Sequence, residues 1–452
     1  MRDLKHLLKK NRLRRLPLFG RRNKSTLNVY KKLVEAEPAR RRLRVILPLI
    51  AVVLGAYPAV NLLLSVKNAQ SSVGRSSVPA PAPARVAPLQ ELENARAFQL
   101  AADSLPLARF AGGRMQARLS DGGTVVLSID QNLQERVEKV MRTCQVPYGV
   151  FVAIEPKTGR ILAMAAHSSL NPAWERNSFF DLYPMASLFK IVTTAAALEQ
   201  KKVSPTTVFE FRGKNTSENP RYWYVKPGKR NQQMPLDIAL GKSVNPVFGR
   251  LASDVVGRDA IVSFAERFGF NQVLMPGTSL KTSCAVVPQT DEELKLMGAG
   301  LCHEVKISPL HVATMMAAIA NEGIMMTPAL TQEIRNSKGE TVYTQKGKPL
   351  RNLISAGTAG QLSRMLSTTV SSGTSRKVFH DRRGRALLAS LSIAAKTGSI
   401  DGKDPAGHYS WFAAYAPAND PQIALAALVI NQAKWRIKAS YLGEQALEEF
   451  FK

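Results

Sequence analysis

"LSIAAKTGSIDGKDPAGHYSWFAAYAPANDPQIALAALVINQ", residues 391–432, decides the fold. It holds three β-rich runs, "LSIAAKTGS", "HYSWFAAYAP" and "QIALAALVINQ", divided by Gly, Pro, Asp and Asn, the residues that punctuate strands. A helix from about 438 to 451 closes the chain. Far upstream, "YGVFVAIEPKTGRILAMAAH", residues 148–167, gives two more runs around a Pro-Lys-Thr-Gly turn, a hairpin signal. The amphipathic "QNLQERVEKVMR" precedes that hairpin, and helical patterns dominate residues 185–330. Two strands, a helical middle and three strands predict one α/β domain whose ends share a sheet. No internal repeat is present.

The charge is unevenly placed. Of a formal net +28, residues 1–44 hold 16 Lys and Arg against 3 Asp and Glu. The next 22 residues, "VILPLIAVVLGAYPAVNLLLSV" (45–66), carry no charge. At ~1.5 Å per helical residue they reach ~33 Å, enough to cross a bilayer core of ~30 Å. Arg40, Arg41, Arg42 and Arg44 stand just before them, so the basic side is expected to stay cytoplasmic. A cleaved signal peptide does not fit, because 44 residues far exceed an n-region. Topology and anionic headgroups account for the basic tail without invoking nucleic acid. "KNAQSSVGRSSVPAPAPARVAPLQ" (67–90) reads as a semi-rigid spacer, and a short, polar, helix-prone piece follows to about 120. The expected domains are therefore a basic cytoplasmic tail (1–44), a transmembrane helix (45–66), a linker with a juxtamembrane segment (67–120) and a globular domain (121–452) opening at "GTVVLSID". Three cysteines form no staple ladder, although Cys284 and Cys302 could pair after export, leaving Cys144 single. No Cys/His spacing suggests a metal, and no cofactor motif is present.

"YPMASLFKIVTTAAALEQ" (183–200) places Ser187 and Lys190 three apart at the head of an apolar helix. Residues at i and i+3 share a helix face. A lysine on such a face loses hydration, which disfavours its charged form and lowers its pKa. A neutral amine beside a hydroxyl describes an activated serine nucleophile. The alternative from local rules is a Ser187 N-cap with Lys190 snorkelling to solvent. Ser187 and Lys190 form the only S-x-x-K in the chain. "GKSVNPVFGRLA" follows with Ser243-Val244-Asn245, and "AAKTGSIDG" with Lys396-Thr397-Gly398-Ser399. Single elements recur: S-x-N at Ser169 and Ser217, K-T-G at Lys157. The ordered triple, with spacings of 56 and 153 residues, is what carries specificity.

That order resembles the signature of penicillin-binding proteins and serine β-lactamases. The resemblance runs from about residue 121 to the end, through "LSIDQNLQ", "AIEPKTGRILAM", "NEGIMMTPAL" and "HYSWFAAYAPANDPQIALAALV". Of the two broad groups of these enzymes, the monofunctional (class B) one fits better, since residues 67–120 are too few for a glycan-polymerising domain. The resemblance implies an antiparallel five-stranded sheet flanked by helices behind one N-terminal membrane helix. It implies a plasma-membrane D,D-transpeptidase with its catalytic domain outside, acting on peptidoglycan stem peptides and acylated by β-lactams. Ser187 is then the nucleophile, Lys190 the candidate base, Ser243 a proton relay and Asn245 a ligand for the substrate amide. Lys396 supplies positive potential, Thr397 and Ser399 bind the terminal carboxylate within the Lys-Thr-Gly strand, Gly398 included. The N–H groups of Ser187 and Ser399 form the oxyanion hole.

The same residues serve a D,D-carboxypeptidase, where water replaces the acceptor amine. A non-catalytic β-lactam sensor or scaffold has no need to retain all five polar residues. A β-lactamase is disfavoured by the lack of Glu-x-x-Leu-Asn after Asn245. A membrane glycan polymerase is the implied partner, although the module that usually contacts one is reduced here to about 54 residues. Lys157-Thr158-Gly159 matches a structural hairpin turn of the family. Tyr222, Trp223 and Tyr224 read as a packed segment, His408 as structural, and Gly373-Thr374 as a helix terminus.

Overall fold

The structure, a computed structural model, describes residues 89–229 and 231–452. The tail and the expected span at 45–66 lie outside the described residues. Among the described residues, no helix is long and apolar enough to cross a membrane.

Helix α1 (Leu89–Ser104) leads into three short strands, β1 (Arg109–Ala111), β2 (Arg114–Arg118) and β3 (Thr124–Leu127). Helix α2 (Gln131–Thr143) is capped by Asp130, whose carboxylate accepts from the Leu133 N–H. The hairpin β4 (Tyr148–Ile154) and β5 (Ile161–His167) follows, then α3 (Lys190–Glu199) and α4 (Asn245–Arg250). Helix α5 (Pro309–Ala320) precedes β6 (Thr331–Arg335) and β7 (Thr341–Thr344), and α6 (Ala356–Ser371) precedes the C-terminal strands. These are β8 (Ala394–Lys403), β9 (Ala406–Ala416) and β10 (Ile423–Asn431), and α7 (Ala439–Phe450) ends the chain.

The main sheet has the order β8-β9-β10-β4-β5 and is antiparallel throughout. The two ends of the domain meet in it as expected, through β10 and β4, with Ala424 opposite Ile154 and Ile430 opposite Tyr148. The period of two sorts side chains into two cores. Val150, Val152, Trp411, Ala413, Ala426 and Leu428 enter one, with α3 and α5. Phe151, Ala153, Phe412, Ala414, Leu425 and Val429 enter the other, with α2 and α7. Burial on both faces explains why "IALAALVI" is a continuous apolar run and not an alternating one. Each Val, Leu or Ile so buried contributes about 1.5–3 kcal/mol.

A second five-stranded sheet, β1-β2-β3-β6-β7, was not anticipated. Residues 109–118, expected within a helix-prone piece, are two of its strands, and α1 packs there with Phe98 buried and the Ala97 carbonyl accepting from the Thr331 hydroxyl at 2.6 Å. These strands are three to five residues long and mostly half exposed, so they leave little periodic signal.

Helix α7 lies on the main sheet at Gly443. A Cβ there would stand 2.3 Å from Phe412 Cδ1, and Phe412 is itself stacked on Phe379 with ring centroids 5.6 Å apart. Gly to Ala in a helix ordinarily gains about 1 kcal/mol. Here overpacking of about 1–3 kcal/mol should outweigh it, so Gly443→Ala is expected to lower the urea midpoint. A raised midpoint would mean that α7 can lift from the sheet at no cost.

Candidate active site

Residues 183–190 form the wall of the site. Tyr183–Pro184 pairs with Lys306–Ile307, and the Met185 N–H donates to the Val305 carbonyl at 2.9 Å. The Trp411 indole N–H donates to the Pro184 carbonyl at 2.9 Å, tying this wall to β9. Ala186 then adopts φ +53°, a left-handed conformation that a Cβ disfavours. Gly300 is pressed against that kink: a Cβ on it would lie 2.3 Å from the Ala186 carbonyl and 2.8 Å from Ser187 Cα. Residues 186–189 make one 3-10 turn before α3 begins at Lys190.

Ser187 caps nothing, and Lys190 does not snorkel. The Lys190 side chain is fully buried, with Nζ 2.8 Å from Ser187 Oγ and 2.8 Å from Asn245 Oδ1. Its third partner is the Ala299 carbonyl, and the Phe248 ring lies 5.7 Å away. Among the described residues, no carboxylate bonds to it. Burial, aided by the charge of Lys396, holds its pKa well below 10.5. A neutral amine has two N–H donors and one lone pair. Asn245 Oδ1 and the Ala299 carbonyl can only accept, so they take the two N–H bonds. In that neutral form the lone pair is left for the Ser187 hydroxyl.

Lys396, on the edge strand β8, is also fully buried. Its ammonium donates to Ser243 Oγ at 2.9 Å and to the Thr397 carbonyl at 2.8 Å. Burial lowers its pKa to about 7. Ser243 has φ +55° and sits just before α4, whose first residue is the buried Asn245. The 2.7 Å bond from the Asn245 N–H to the Asn215 carbonyl fixes that start. The three motifs thus meet: Ser187, Lys190 and Asn245 form one cluster, Ser243 and Lys396 a second beside it. Both border a groove of about 560 Å³, together with Thr397, Gly398 and Ser399.

The repeated motifs fall elsewhere. Lys157 is 69% exposed in the β4–β5 turn and pairs with Asp420 at 3.2 Å. Gly159 has φ +79°, and a Cβ on it would meet the Thr327 carbonyl at 2.3 Å, so this triplet serves a turn. Ser169 bonds the Gln145 carbonyl, and Ser217 accepts from the Trp223 indole at 3.1 Å. Trp223 is packed, and neither Tyr222 nor Tyr224 borders the groove. The considered Cys284–Cys302 disulfide is absent: all three cysteines are free thiols. Cys284 Sγ donates to the Glu304 carbonyl and Cys302 Sγ to Glu304 Oε2, so both thiols turn to one residue and not to each other. Among the described residues, no cluster of His, Cys, Asp and Glu could hold a metal ion.

Thr374 was missed. It was read as a helix terminus, and it does follow α6, but its hydroxyl enters the groove 2.6 Å from Thr397 Oγ1. Gly373 brings it there by lying against residue 241, where a Cβ would come within 2.2 Å of the Gly241 carbonyl. His408, read as structural, also borders the groove and bonds Asp401.

A family model described as "Penicillin binding protein transpeptidase domain" matches residues 149–452. The chain is similar to the peptidoglycan D,D-transpeptidase PbpA of Mycolicibacterium smegmatis, at 29% identity over 68% of this chain and 67% of that protein. It is similar to stage V sporulation protein D of Bacillus subtilis at 27% identity, over 69% of this chain and 50% of that protein. An imipenem acyl-enzyme structure of penicillin-binding protein A from M. tuberculosis superposes with a TM-score of 0.60, at 25% identity, over 73% of this chain and 79% of that one.

The buried amine makes stability depend on pH in a defined direction. Unfolded Lys190 binds a proton below about 10.5, whereas the folded form does so only at much lower pH. The unfolded state therefore holds the extra proton, and stability falls as pH falls through this window. Relative to a Lys190→Met variant, the native protein should lose up to about 1.4 kcal/mol per pH unit between pH 10 and 8. Urea titrations at the two pH values check this, and a pH-independent difference would mean that Lys190 stays charged.

Proposed function

This chain belongs to the penicillin-binding protein transpeptidase family, and on that footing we propose that it is a D,D-transpeptidase that cross-links peptidoglycan stem peptides. The observation that carries the reading is the buried amine 2.8 Å from a serine hydroxyl, near a second buried lysine bonded to Ser243 on the same groove.

Ser187 Oγ attacks the penultimate carbonyl of a D-Ala-D-Ala terminus while its proton passes to Lys190. The N–H groups of Ser187 and Ser399 receive the oxyanion. Lys396, Thr397 and Ser399 bind the terminal carboxylate, and Asn245 bonds the substrate amide. Gly398 keeps the strand clear, since a Cβ there would press on Ala186 at 3.2 Å. Ser243, in contact with Lys396, relays a proton to the leaving amine. An acceptor amine then attacks the ester, and Ser187 recovers its proton. An edge strand suits this task, because its unpaired backbone groups can bind an extended peptide as an added strand. β-lactams acylate the same serine, their ring amide standing for the scissile bond.

Residues 1–44 are the cytoplasmic tail, 45–66 the single membrane span and 67–120 lead to a catalytic domain at 121–452 outside the plasma membrane, the strands at 109–118 being already paired into that domain's second sheet. The 16 basic residues ahead of the apolar run support this orientation. A membrane glycan polymerase is the proposed partner, supplying the strands to be joined.

Intact-mass analysis after penicillin treatment is expected to show one adduct, lost in Ser187→Ala. An adduct that persists would sink the assignment. The two Lys-Thr-Gly triplets provide an internal comparison. Lys396→Ala should slow acylation at least ~100-fold, the scale of losing one electrostatic stabiliser. Lys157→Ala should leave the rate and the melting temperature nearly unchanged, since an exposed ion pair is worth at most about 1 kcal/mol. Equal effects on acylation would mean that the wrong triplet has been assigned.

A further inference from the structure

The segment between α6 and β8 holds a cluster of cations outside the catalytic groove. Residues 376–385 carry five Lys and Arg against one acidic residue, Asp381. Asp381 is spent within the turn itself. Its carboxylate accepts from Arg385 Nε at 2.8 Å and from the N–H groups of Arg383 and Arg385 at 2.8 and 2.9 Å. The other four, Arg376, Lys377, Arg382 and Arg383, are exposed, and among the described residues their side chains have no ion-pair or hydrogen-bond partner.

The turn that displays them is well fixed. The Asp381 N–H donates to the Arg385 carbonyl at 2.9 Å, the Leu387 N–H donates to the Phe379 carbonyl at 2.9 Å, and Gly384 closes the tip with φ +79°. Arg376, on the single helical turn Arg376–Phe379, reaches that tip: a Cβ on Gly384 would lie 3.4 Å from its Nη2. Like charges grouped on one fixed turn repel, and a bound anion relieves them. The neighbouring surface is apolar. Leu387 is 51% exposed, with Ala386 and Ala389 exposed beside it. A hollow of about 230 Å³ opens against the same segment, bordered by Val370, Phe379, Leu388, Leu391 and Ile393. Cations next to exposed aliphatic side chains suit a bilayer interface, where phosphates meet the first and acyl chains the second. A soluble polyanion would engage the arginines and leave Leu387 in water. Residues 67–88 number 22, a reach of at most ~80 Å, so a domain tethered through them stays at high effective concentration over one bilayer.

We propose that residues 376–389 form a second membrane contact of this chain, docking on an anionic phospholipid surface. Arg376, Arg382 and Arg383 take headgroup phosphates, and Leu387 enters the boundary between headgroups and acyl chains. The inference rests on the membrane-anchored reading. Thr374, whose hydroxyl enters the catalytic groove, stands two residues before Arg376, so docking holds that end of the groove close to the bilayer.

The test places the full-length protein in nanodiscs of phosphatidylcholine, alone or with about a third phosphatidylglycerol. Amide hydrogen exchange at residues 380–389 reads docking, because a docked hairpin opens less often. Exchange there should be at least about fivefold slower in the anionic discs, the effect of engaging one basic side chain. Arg382→Gln with Arg383→Gln should remove most of the slowing, Leu387→Ser should reduce it, and added NaCl should weaken it. Penicillin acylation in detergent should be the same in the double variant, which shows that it folds. No slowing in the native protein, equal slowing at the exposed turn 337–340, or slowing that survives the double substitution overturns the contact. Equal protection by polyphosphate in phosphatidylcholine discs would assign the hairpin to soluble polyanions and overturn it as well. Failure of the native protein to enter either disc would instead overturn the membrane-anchored reading, and this inference with it.

Discussion

The structure turns on an amine held without a counter-ion. Burying a charged lysine without a partner costs several kcal/mol, and a protein normally avoids this by pairing or by deprotonation. Lys190 is pushed toward the second course: it has a hydroxyl, an amide oxygen and a backbone carbonyl around it, and no carboxylate among the described residues. Most of its neighbours on α3 are apolar and buried. The cost is met elsewhere, in a sheet whose two faces are both fully packed. The kink at Ala186 and the close approach of Gly300 are local strain of the same kind, stored where the chemistry needs a serine turned toward a lysine.

Geometry of this kind cannot come from one segment. Ser187 precedes a helix, Ser243 and Asn245 lie at a second helix start, and Lys396 is on a strand, with 56 and 153 residues between motifs. The antiparallel sheet makes their meeting possible. It joins the first hairpin of the domain to its last three strands and leaves β8 at the edge, facing the Ser187 turn. The Trp411–Pro184 bond and the contact between Gly398 and Ala186 fix the distance between strand and turn.

What was legible in the sequence follows from which signals are local. The strands of the main sheet are long apolar runs, and the motif triple is a pattern in order and spacing, so both could be read. The second sheet could not, because strands such as 331–335 and 341–344 are short and polar. Thr374 depends on glycine against glycine across two helices, and the His408–Asp401 pair on a cross-strand register. Neither leaves a trace in one-dimensional order. The thiols show the opposite error, where a plausible spacing met a geometry that points both sulfurs at Glu304.

The two lysines also divide the work between them. Each is buried, and the charge of Lys396 adds to burial in lowering the pKa of Lys190. Burial lowers the pKa of Lys396 to about 7. An anion placed beside Lys396 favours its charged form. That charge in turn pushes Lys190 further toward the neutral amine. An anion beside Lys396 thus favours the neutral form of Lys190. Such coupling needs the lysines to share one desolvated site yet touch different hydroxyls, Ser187 and Ser243, which is the arrangement found here.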